Sequence, residues 1–374
     1  MRQHRVRIAL SVLLVGILLL SISACDILKN QEKPAVRTCD WSVDRLAAQV
    51  VVVPVNSSDV AAATPAVVAG AGGVILFGKK APKDLKEKLA ALVKQAPDGR
   101  LPFVMSDEEG GSVQRLANLV GEFNSARRMG DHLSAGQIKQ EANKLGVAMK
   151  EHGVTMNLAP VLDLDDQDVI PGSKNAVGNR SFGKDSAKTS RNGVAFAQGL
   201  QDAGVMPVVK HFPGIGGATG GNTDFSKART LPWSQLQQTG LQPFKAAIAA
   251  SLPAIMTANA AVPGLSEKPA SISPEVIKVL REELGFKGLI ITDTLSAGAI
   301  SASGYTPEAA AVLALQAGAN LLLYGGVAKS PIDEFNKITT TIVTAVSKGE
   351  LPRETLIKAV NAVLSAKQLE TCGS

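Results

Sequence analysis

The stretch Leu289-Ile290-Ile291-Thr292-Asp293 is an uninterrupted apolar run that ends on an acid. Residues 50–53 are four consecutive valines and form a second run of this kind. Continuous rather than alternating apolar residues are typical of strands that are buried on both faces of a parallel sheet. Because α/β barrels carry their chemistry at the carboxyl ends of such strands, Asp293 is a candidate functional residue.

Short apolar runs recur along the chain, and amphipathic, helix-like segments lie between them. Eight strand–helix units predict an α/β fold, with a (β/α)8 TIM-type barrel as the leading architecture and an open, doubly wound sheet as the alternative. The predicted strands are residues 49–55, 73–77, 102–106, 154–163, 206–211, 254–258, 289–293 and 320–324. The predicted helices include residues 82–95, 135–152, 186–203 and 274–284.

Polar side chains follow four of these runs at the point where the strand ends. Asp107, Asp163 and Asp293 each follow one run, and Lys210 with His211 ends another. Since the carboxyl ends of parallel strands meet at one edge, we expect these side chains to surround one site.

The composition excludes several classes of protein. With 45% hydrophobic residues, the 374-residue chain is not disordered as a whole. Aromatic residues make up only 4%, too few for a platform that stacks nucleobases. Without Arg2, Arg5 and Arg7, 36 basic residues stand against 33 acidic ones, so no nucleic-acid partner is expected.

The N-terminus has the pattern of an export signal. Basic residues precede an uncharged apolar stretch, residues 8–24, which is short for a membrane span and ends in small residues before Cys25. It resembles a bacterial lipoprotein signal, which implies that residues 1–24 are removed and that Cys25 is lipidated. An uncleaved anchor helix is the alternative. Either way, we expect an extracytoplasmic protein held at a membrane.

Two other cysteines, Cys39 and Cys372, lie at the two ends of the part that is expected to fold. In an exported protein such a pair can form a disulfide that ties the termini together; two unpaired thiols are the alternative. Residues 25–39 are interpreted as a tether and residues 40–374 as one domain. These cysteines and the four histidines give no metal cluster, so no metal is expected.

Two loops contain charged groups that can hold a ligand. Residues 106–115 place three acids and Arg115 in one tight turn, and such groups can bind vicinal hydroxyls by charged hydrogen bonds. A solvated turn with a local ion pair is the alternative. Arg180 can bind a hydroxyl or an anion, and an ordinary surface arginine is the alternative.

A glycine-rich segment follows Lys210 and His211, and no helix start follows its glycines. It therefore predicts a mobile flap that carries Asp224 over a pocket rather than a phosphate-binding loop, which disfavours a nucleotide-binding enzyme. Asp293 can attack an anomeric carbon, or it can cap a helix that begins at Leu295.

In this order, the pieces resemble glycoside hydrolase family 3, in particular its single-domain β-N-acetylglucosaminidases and their lipoprotein relatives. The resemblance runs from residue 40 to residue 370. The matching motifs are residues 107–111 with Arg115, then 157–163, 178–183, 210–214, 269–273 and 285–288, leading into Thr292-Asp293.

The resemblance implies a barrel that hydrolyses β-glycosidic bonds with retention of configuration and uses no metal or organic cofactor. It implies that Asp293 is the nucleophile. A retaining glycosidase also needs an acid/base about 5–5.5 Å from the nucleophile. We expect Lys210 and nearby arginines to keep the pKa of Asp293 low. The residues implied to hold the non-reducing sugar are Asp107, Arg115, Arg180, Lys210 and His211.

The acid/base motif departs from the family pattern. Relatives carry Lys-His-Phe-Pro-Gly-His-Gly and then Asp-Ser-His, whose last histidine is the acid/base. Here Ile215 replaces the second histidine, Asn222-Thr223-Asp224 replaces Asp-Ser-His, and Asn259 stands where relatives often carry histidine.

Three interpretations follow. Asp224 replaces the histidine, or Asp165, Asp166 or Glu108 supplies the acid, or the protein binds the sugar but hydrolyses it slowly or not at all. We therefore predict a monomeric, exported, lipid-anchored retaining β-glycosidase, a β-N-acetylhexosaminidase that acts on peptidoglycan sugars. A glycan-binding lipoprotein without the acid/base is the alternative.

Overall fold

A sheet of parallel strands forms the centre of the computed structural model. The strands are β1 (Val52–Asn56), β2 (Gly73–Phe77), β3 (Phe103–Ser106), β4 (Glu108–Gly110), β5 (Val113–Gln114), β6 (Met156–Asn157), β7 (Met206–Phe212), β8 (Ala228–Arg229), β9 (Ala254–Thr257), β10 (Ala260–Val262), β11 (Ser266–Pro269) and β12 (Leu289–Thr292). Seven of them pair in parallel in the order β1-β2-β3-β6-β7-β9-β12, and the other five belong to two small accessory sheets.

The eighth predicted strand, residues 320–324, is not a regular strand. Leu321 makes one isolated bridge to Ile291 of β12, and Leu322 makes one to Val51, which precedes β1. Side chains replace part of the backbone ladder, because Asn320 Oδ1 accepts the amide hydrogen of Ile290 at 2.9 Å. The (β/α)8 prediction is therefore corrected to a TIM-like α/β fold with a curled sheet of seven strands.

Helices follow the strands and cover the outside of the sheet. The helices are α1 (Val43–Gln49), α2 (Thr64–Ala69), α3 (Leu85–Val93), α4 (Ala117–Val120), α5 (Ala126–His132), α6 (Ala135–Glu151), α7 (Ser186–Asp202), α8 (Trp233–Leu236), α9 (Leu241–Ala249), α10 (Pro274–Lys278), α11 (Gly298–Ala302), α12 (Pro307–Ala317), α13 (Pro331–Ser347) and α14 (Arg353–Ala366). The predicted helices at 82–95, 135–152 and 186–203 correspond to α3, α6 and α7, whereas the one at 274–284 divides into α10 and a π-helical segment, Val279–Glu283.

The core has two parts. One lies between the sheet and the helices, and a smaller one lies inside the curled sheet, where Ile75, Met105, Val208 and Ile291 are fully or almost fully buried. Val363 of α14 packs with this inner group and is fully buried. Lys367, directly after α14, has its Nζ 5.0 Å from the ring centre of Phe103, the first residue of β3, so α14 covers the end of the sheet where strands begin. The opposite end of the sheet, where the strands have their carboxyl ends, is not covered by this helix and can bind a ligand.

The structure describes residues 37–325 and 330–371. The predicted signal with Cys25, most of the predicted tether, and Cys372 lie outside these residues. Cys39 is disulfide-bonded, and its pairing with Cys372 stays a prediction. In the part of the chain that the structure describes, no helix is long and apolar enough to cross a membrane.

Candidate active site

The carboxyl ends of β3, β7 and β12 surround a cavity of about 730 Å³. All seven residues predicted to bind or cut the substrate line it, although they are spread over almost 190 positions of the sequence. These residues are Asp107, Arg115, Arg180, Lys210, His211, Asp224 and Asp293.

A buried network of charges forms one side of the cavity. Lys210 Nζ lies 2.8 Å from Asp107 Oδ1 and 2.6 Å from Glu109 Oε1. Arg180 binds Glu109 with two parallel hydrogen bonds of 2.7 and 2.8 Å, the fork geometry that makes such pairs strong. Arg115 Nη2 lies 3.5 Å from Asp107 Oδ2. Asp107, Glu109, Arg180 and Lys210 are called the sugar-binding cluster below, after the role that the sequence predicts for three of them.

The cations determine the protonation of this cluster. Burial alone would raise the pKa of Glu109, but Arg180 and Lys210 outweigh it and hold that pKa well below its usual range. Burial also tends to raise the pKa of Asp107, but Lys210 and Arg115 outweigh this effect, so the pKa of Asp107 is lowered. Both carboxyls are therefore ionised. Sequence reasoning gave Glu109 no separate role, and its place in the acidic turn was the only signal for it.

Glu108, the acid between these two, faces away from the cavity. Its Oε1 accepts hydrogen bonds from Ser106 Oγ at 2.6 Å and from the amides of Arg115 and Leu116 at 3.1 and 3.0 Å. Burial raises the pKa of Glu108 to about 7. Glu108 therefore positions the loop that carries Arg115, and it is not placed to protonate a sugar in the cavity.

The two other alternative acids also lie outside this cavity. Asp165 and Asp166 line a neighbouring cavity of about 250 Å³. The carboxylate of Asp165 accepts the amide hydrogens of Gln167 and Gly178 at 2.8 and 3.1 Å, and Asp166 lies 3.5 Å from Lys184. Of the four residues that the sequence offers as the acid/base, only Asp224 shares a cavity with Asp293.

Asp163 orients His211. Its Oδ2 lies 2.6 Å from His211 Nδ1, and its Oδ1 accepts the amide hydrogen of Ile215 at 2.8 Å. One carboxylate thus fixes both a cavity side chain and the beginning of the glycine-rich flap. The sequence placed Asp163 at a strand end but gave it no role.

Asp293 directly follows β12, and Thr294 donates its amide hydrogen to Asp293 Oδ1 at 2.7 Å. No helix begins at Leu295; the next one, α11, begins at Gly298, so the capping interpretation is wrong. Burial raises the pKa of Asp293, and Asp224 adds to the increase, while His211 and Lys210 offset it only in part. The expectation of a low pKa is therefore also wrong.

Asn259 buttresses the loop that follows Asp293. Its Nδ2 donates to the carbonyl of Thr294 at 2.6 Å, and its Oδ1 accepts from Ser271 Oγ at 2.6 Å. Asn259 is not among the residues that line the cavity, and its bonds hold the loop that follows Asp293 in place.

Asp224 lies in the flap, residues 214–227, beside the start of α11. The amide hydrogens of Gly298 and Ala299 bond to the carbonyls of Asp224 and Thr223, both at 2.9 Å. A Cβ at residue 298 would lie 2.6–2.9 Å from the backbone of Asp224 and Phe225, so glycine permits this approach. Asp224 itself is exposed, and its charge reaches Asp293.

Comparison with known proteins gives a consistent result. Residues 42–366 match the model of the glycosyl hydrolase family 3 N-terminal domain. β-Hexosaminidase LpqI of Mycobacterium tuberculosis is 33% identical over 280 residues, 73% of this chain and 70% of that protein. A family 3 glycosyl hydrolase structure from Mycobacterium smegmatis superposes with a TM-score of 0.78 at 32% identity, covering 88% of this chain and 98% of that one. A β-N-acetylhexosaminidase structure from Beutenbergia cavernae gives 0.78 at 27% identity, with 88% and 99% covered.

Proposed function

The chain belongs to glycosyl hydrolase family 3 and is a glycoside hydrolase, and on this premise we propose that it removes β-linked N-acetylhexosamine from cell-wall glycan with retention of configuration. The observation that carries the proposal is that Asp293 and Asp224 line one cavity with the predicted sugar-binding residues. The relatives named β-hexosaminidase support N-acetylhexosamine as the sugar that the cavity holds and the reaction releases.

In the first step, the carboxylate of Asp293 attacks the anomeric carbon, and the carboxyl of Asp224 gives its proton to the leaving oxygen as that bond breaks. Burial raises the pKa of Asp293, and His211 and Lys210 oppose this increase and help to keep the carboxylate ionised. In the second step, Asp224 takes a proton from water, which attacks the glycosyl ester and releases the sugar.

The sugar-binding cluster holds the ring while these steps take place. The carboxylate of Asp107, which lines the cavity, accepts hydrogen bonds from the sugar hydroxyls, and Arg115, with its guanidinium over the Phe77 ring at 5.5 Å, lies beside it. Because the charged groups are already paired with one another, little reorganisation is needed when the sugar enters. His211, oriented by Asp163, supplies a further polar contact.

The proposed setting is the cell envelope. The lipoprotein-like start supports a mature chain that begins at a lipidated Cys25, with residues 25–39 as tether and residues 40–374 as catalytic domain. A relative described as a secreted glycosyl hydrolase, from Arthroderma benhamiae, is 34% identical over 290 residues and fits an extracytoplasmic location. Peptidoglycan fragments are the proposed substrate, and the proposed active form is a monomer.

The full chain, purified in mild detergent, tests the activity. It is incubated with the 4-nitrophenyl β-glycosides of N-acetylglucosamine, glucose and xylose, and the anomer released first is followed by NMR. We expect the N-acetylglucosaminide to be hydrolysed fastest, with retention. Asp293→Asn is expected to lower kcat by about 10⁴-fold or more while sugar binding persists.

One observation favours a second candidate function. Ile215 and Asp224 replace two of the three histidines of the family motif, which leaves a sugar pocket without its imidazole acid/base. Such a pocket suits a glycan-binding lipoprotein, because binding a sugar needs no acid/base. Calorimetry with wall fragments distinguishes the two functions, because heat of binding without any released sugar, from a folded wild-type protein, contradicts the hydrolase and supports the binding protein.

A further inference from the structure

Two of the most exposed apolar side chains of the described residues lie at the mouth of the active-site cavity. Phe225 is 69% exposed and Ile170 is 72% exposed. Phe225 lines the cavity and is the chain neighbour of Asp224, and Ile170 directly precedes Pro171, which also lines it. Since large apolar groups exposed together at a ligand site mark a binding surface, this pair needs an occupant.

The two segments that carry these side chains are joined. Asn222, in the flap, donates its amide hydrogen to the carbonyl of Ser173 at 3.0 Å, and its side-chain Nδ2 donates to the carbonyl of Gly172 at 3.3 Å. At Gly221, a Cβ would lie 2.8 Å from the same Ser173 carbonyl oxygen. Phe225 and Ile170 therefore belong to one continuous wall of the cavity mouth.

The backbone under Phe225 is held in place although its ring is exposed. The amide of Phe225 donates to the carbonyl of Asn222 at 3.0 Å, and Gly298 packs directly against the Phe225 backbone. Because the backbone is already held in place, only the side chain of Phe225 has to be ordered when a ligand covers its ring, which favours binding.

The position relative to Asp224 identifies the occupant. In the proposed reaction, the leaving oxygen must reach Asp224, so the rest of the leaving group extends past this residue. Charged groups that suit one sugar line the inner part of the cavity, whereas Phe225 and Pro171 give the wall next to Asp224 an apolar part. The C–H face of a pyranose ring is the part of a glycan that packs on an aromatic ring.

We propose that Phe225, with Ile170 and Pro171, binds the leaving-group sugar, so that the protein selects glycosides whose leaving group is itself a pyranose. This inference rests on the proposed function and adds the outer half of the substrate. Phe225 determines which leaving group is accepted, and Asp224 beside it remains the residue that transfers the proton.

Two substrates separate the leaving-group contact from the chemistry. The β-1,4-linked disaccharide of N-acetylglucosamine leaves as a sugar ring, whereas N-acetyl-β-glucosaminyl fluoride leaves as fluoride, with no ring to contact Phe225. In Phe225→Ala, we expect the ratio of kcat/KM for the disaccharide to that for the fluoride to fall about tenfold. Phe225→Tyr keeps a ring and is expected to restore most of the ratio, and Ile170→Ala is expected to lower it about threefold.

The matched control is Leu101→Ala, which removes another exposed apolar side chain, just before the first residue of β3 and at the opposite end of the sheet. Its ratio should equal that of the wild type. An unchanged ratio in Phe225→Ala, or an equal loss on both substrates, overturns the proposal, because the ring would then act on the flap or serve another partner.

Failure of the proposed function is recognised separately. If the wild type hydrolyses neither substrate, the same wall is tested by calorimetry with the disaccharide and with N-acetylglucosamine. The proposal then requires that Phe225→Ala weakens binding of the disaccharide about tenfold and leaves binding of the monosaccharide within twofold. Equal affinities of wild type and variant for the disaccharide overturn it.

Discussion

The two sides of the active-site cavity are built differently. In the sugar-binding cluster, every charge is paired at a distance of 2.6 to 2.8 Å, and Glu109 and Lys210 are buried. On the flap side, Asp224 is exposed, and within residues 37–325 and 330–371 its carboxylate makes no hydrogen bond or ion pair. The flap is attached by its backbone, through the carbonyls of Asp224 and Thr223.

This difference indicates how the site can change. Replacing one member of the paired cluster leaves another charge buried without its partner, which is costly. Replacing a flap side chain changes no such network, because the backbone keeps its bonds to α11. Asp224 can therefore stand in place of the histidine of the family motif while the residues of the sugar-binding cluster are kept.

The largest expected effect comes from breaking the cluster at the cavity surface. Asp107→Asn keeps the shape of the side chain but removes the charge that faces both Lys210 and Arg115. We expect kcat/KM for the N-acetylglucosaminide to fall about 10³-fold, since charged contacts to the sugar are lost in the ground state and in the transition state. Steady-state kinetics and calorimetric binding of the sugar measure the loss.

Glu122→Gln is the control for Asp107→Asn, because Glu122 is an exposed acid outside the cavity. Its kinetics should match the wild type. If Asp107→Asn keeps wild-type kcat/KM and an unchanged melting temperature, the cluster does not hold the substrate, and the contrast between the two sides loses its meaning.

The next effect tests the flap side. Asp224→Asn is expected to lower kcat for the disaccharide about 10²-fold, because a sugar alkoxide leaves poorly without a proton. For the glycosyl fluoride, formation of the glycosyl-enzyme should slow less than about threefold, since fluoride needs little acid help. A rapid-mixing measurement of fluoride release separates this step from the later hydrolysis.

Equal losses on both substrates would contradict the role of Asp224 as the acid. The same variant should leave sugar affinity unchanged within about twofold, since the sugar-binding cluster remains intact. A large loss of affinity would mean that Asp224 contacts the inner sugar, and that the two sides of the cavity are not independent.

Much of the fold followed from local patterns. Apolar runs such as residues 73–77 and 289–293 predicted buried strands to within one residue, because burial on both faces leaves no polar position in the run. The irregular pairing of residues 320–324 was not predictable. It depends on the side chains of Asn320 and Thr292, which bond to backbone groups of a neighbouring segment.

The site was predictable as a set of residues but not as an electrostatic environment. Strand ends placed Asp107, Lys210 and Asp293 together. The sequence could not tell that Glu109 joins the cluster while Glu108, one position away, turns into the protein. Nor could it give the raised pKa of Asp293, which depends on how much water the folded loops exclude.

The smallest expected effect compares these two neighbouring acids by their pH dependence. Burial raises the pKa of Glu108 to about 7, above its ordinary value of 4.5, so the folded state holds this proton more tightly than the unfolded state. The stability that this proton contributes is present below pH 4.5 and is lost as the pH rises to 7. Glu109 has the opposite sign, because its lowered pKa gives stability above pH 4.5.

Urea unfolding at pH 5 and pH 8 compares Glu108→Gln with the wild type. The glutamine oxygen can still accept the three hydrogen bonds made to Oε1, and it carries no buried charge. From pH 5 to pH 8, the free energy of unfolding of this variant should improve relative to the wild type by about 1–3 kcal/mol. Glu109→Gln should be less stable than the wild type at pH 8, since Lys210 and Arg180 then lose a buried partner. The same pH trend in both variants would contradict the assignment, because it would mean that Glu108 is ionised in the folded protein as Glu109 is.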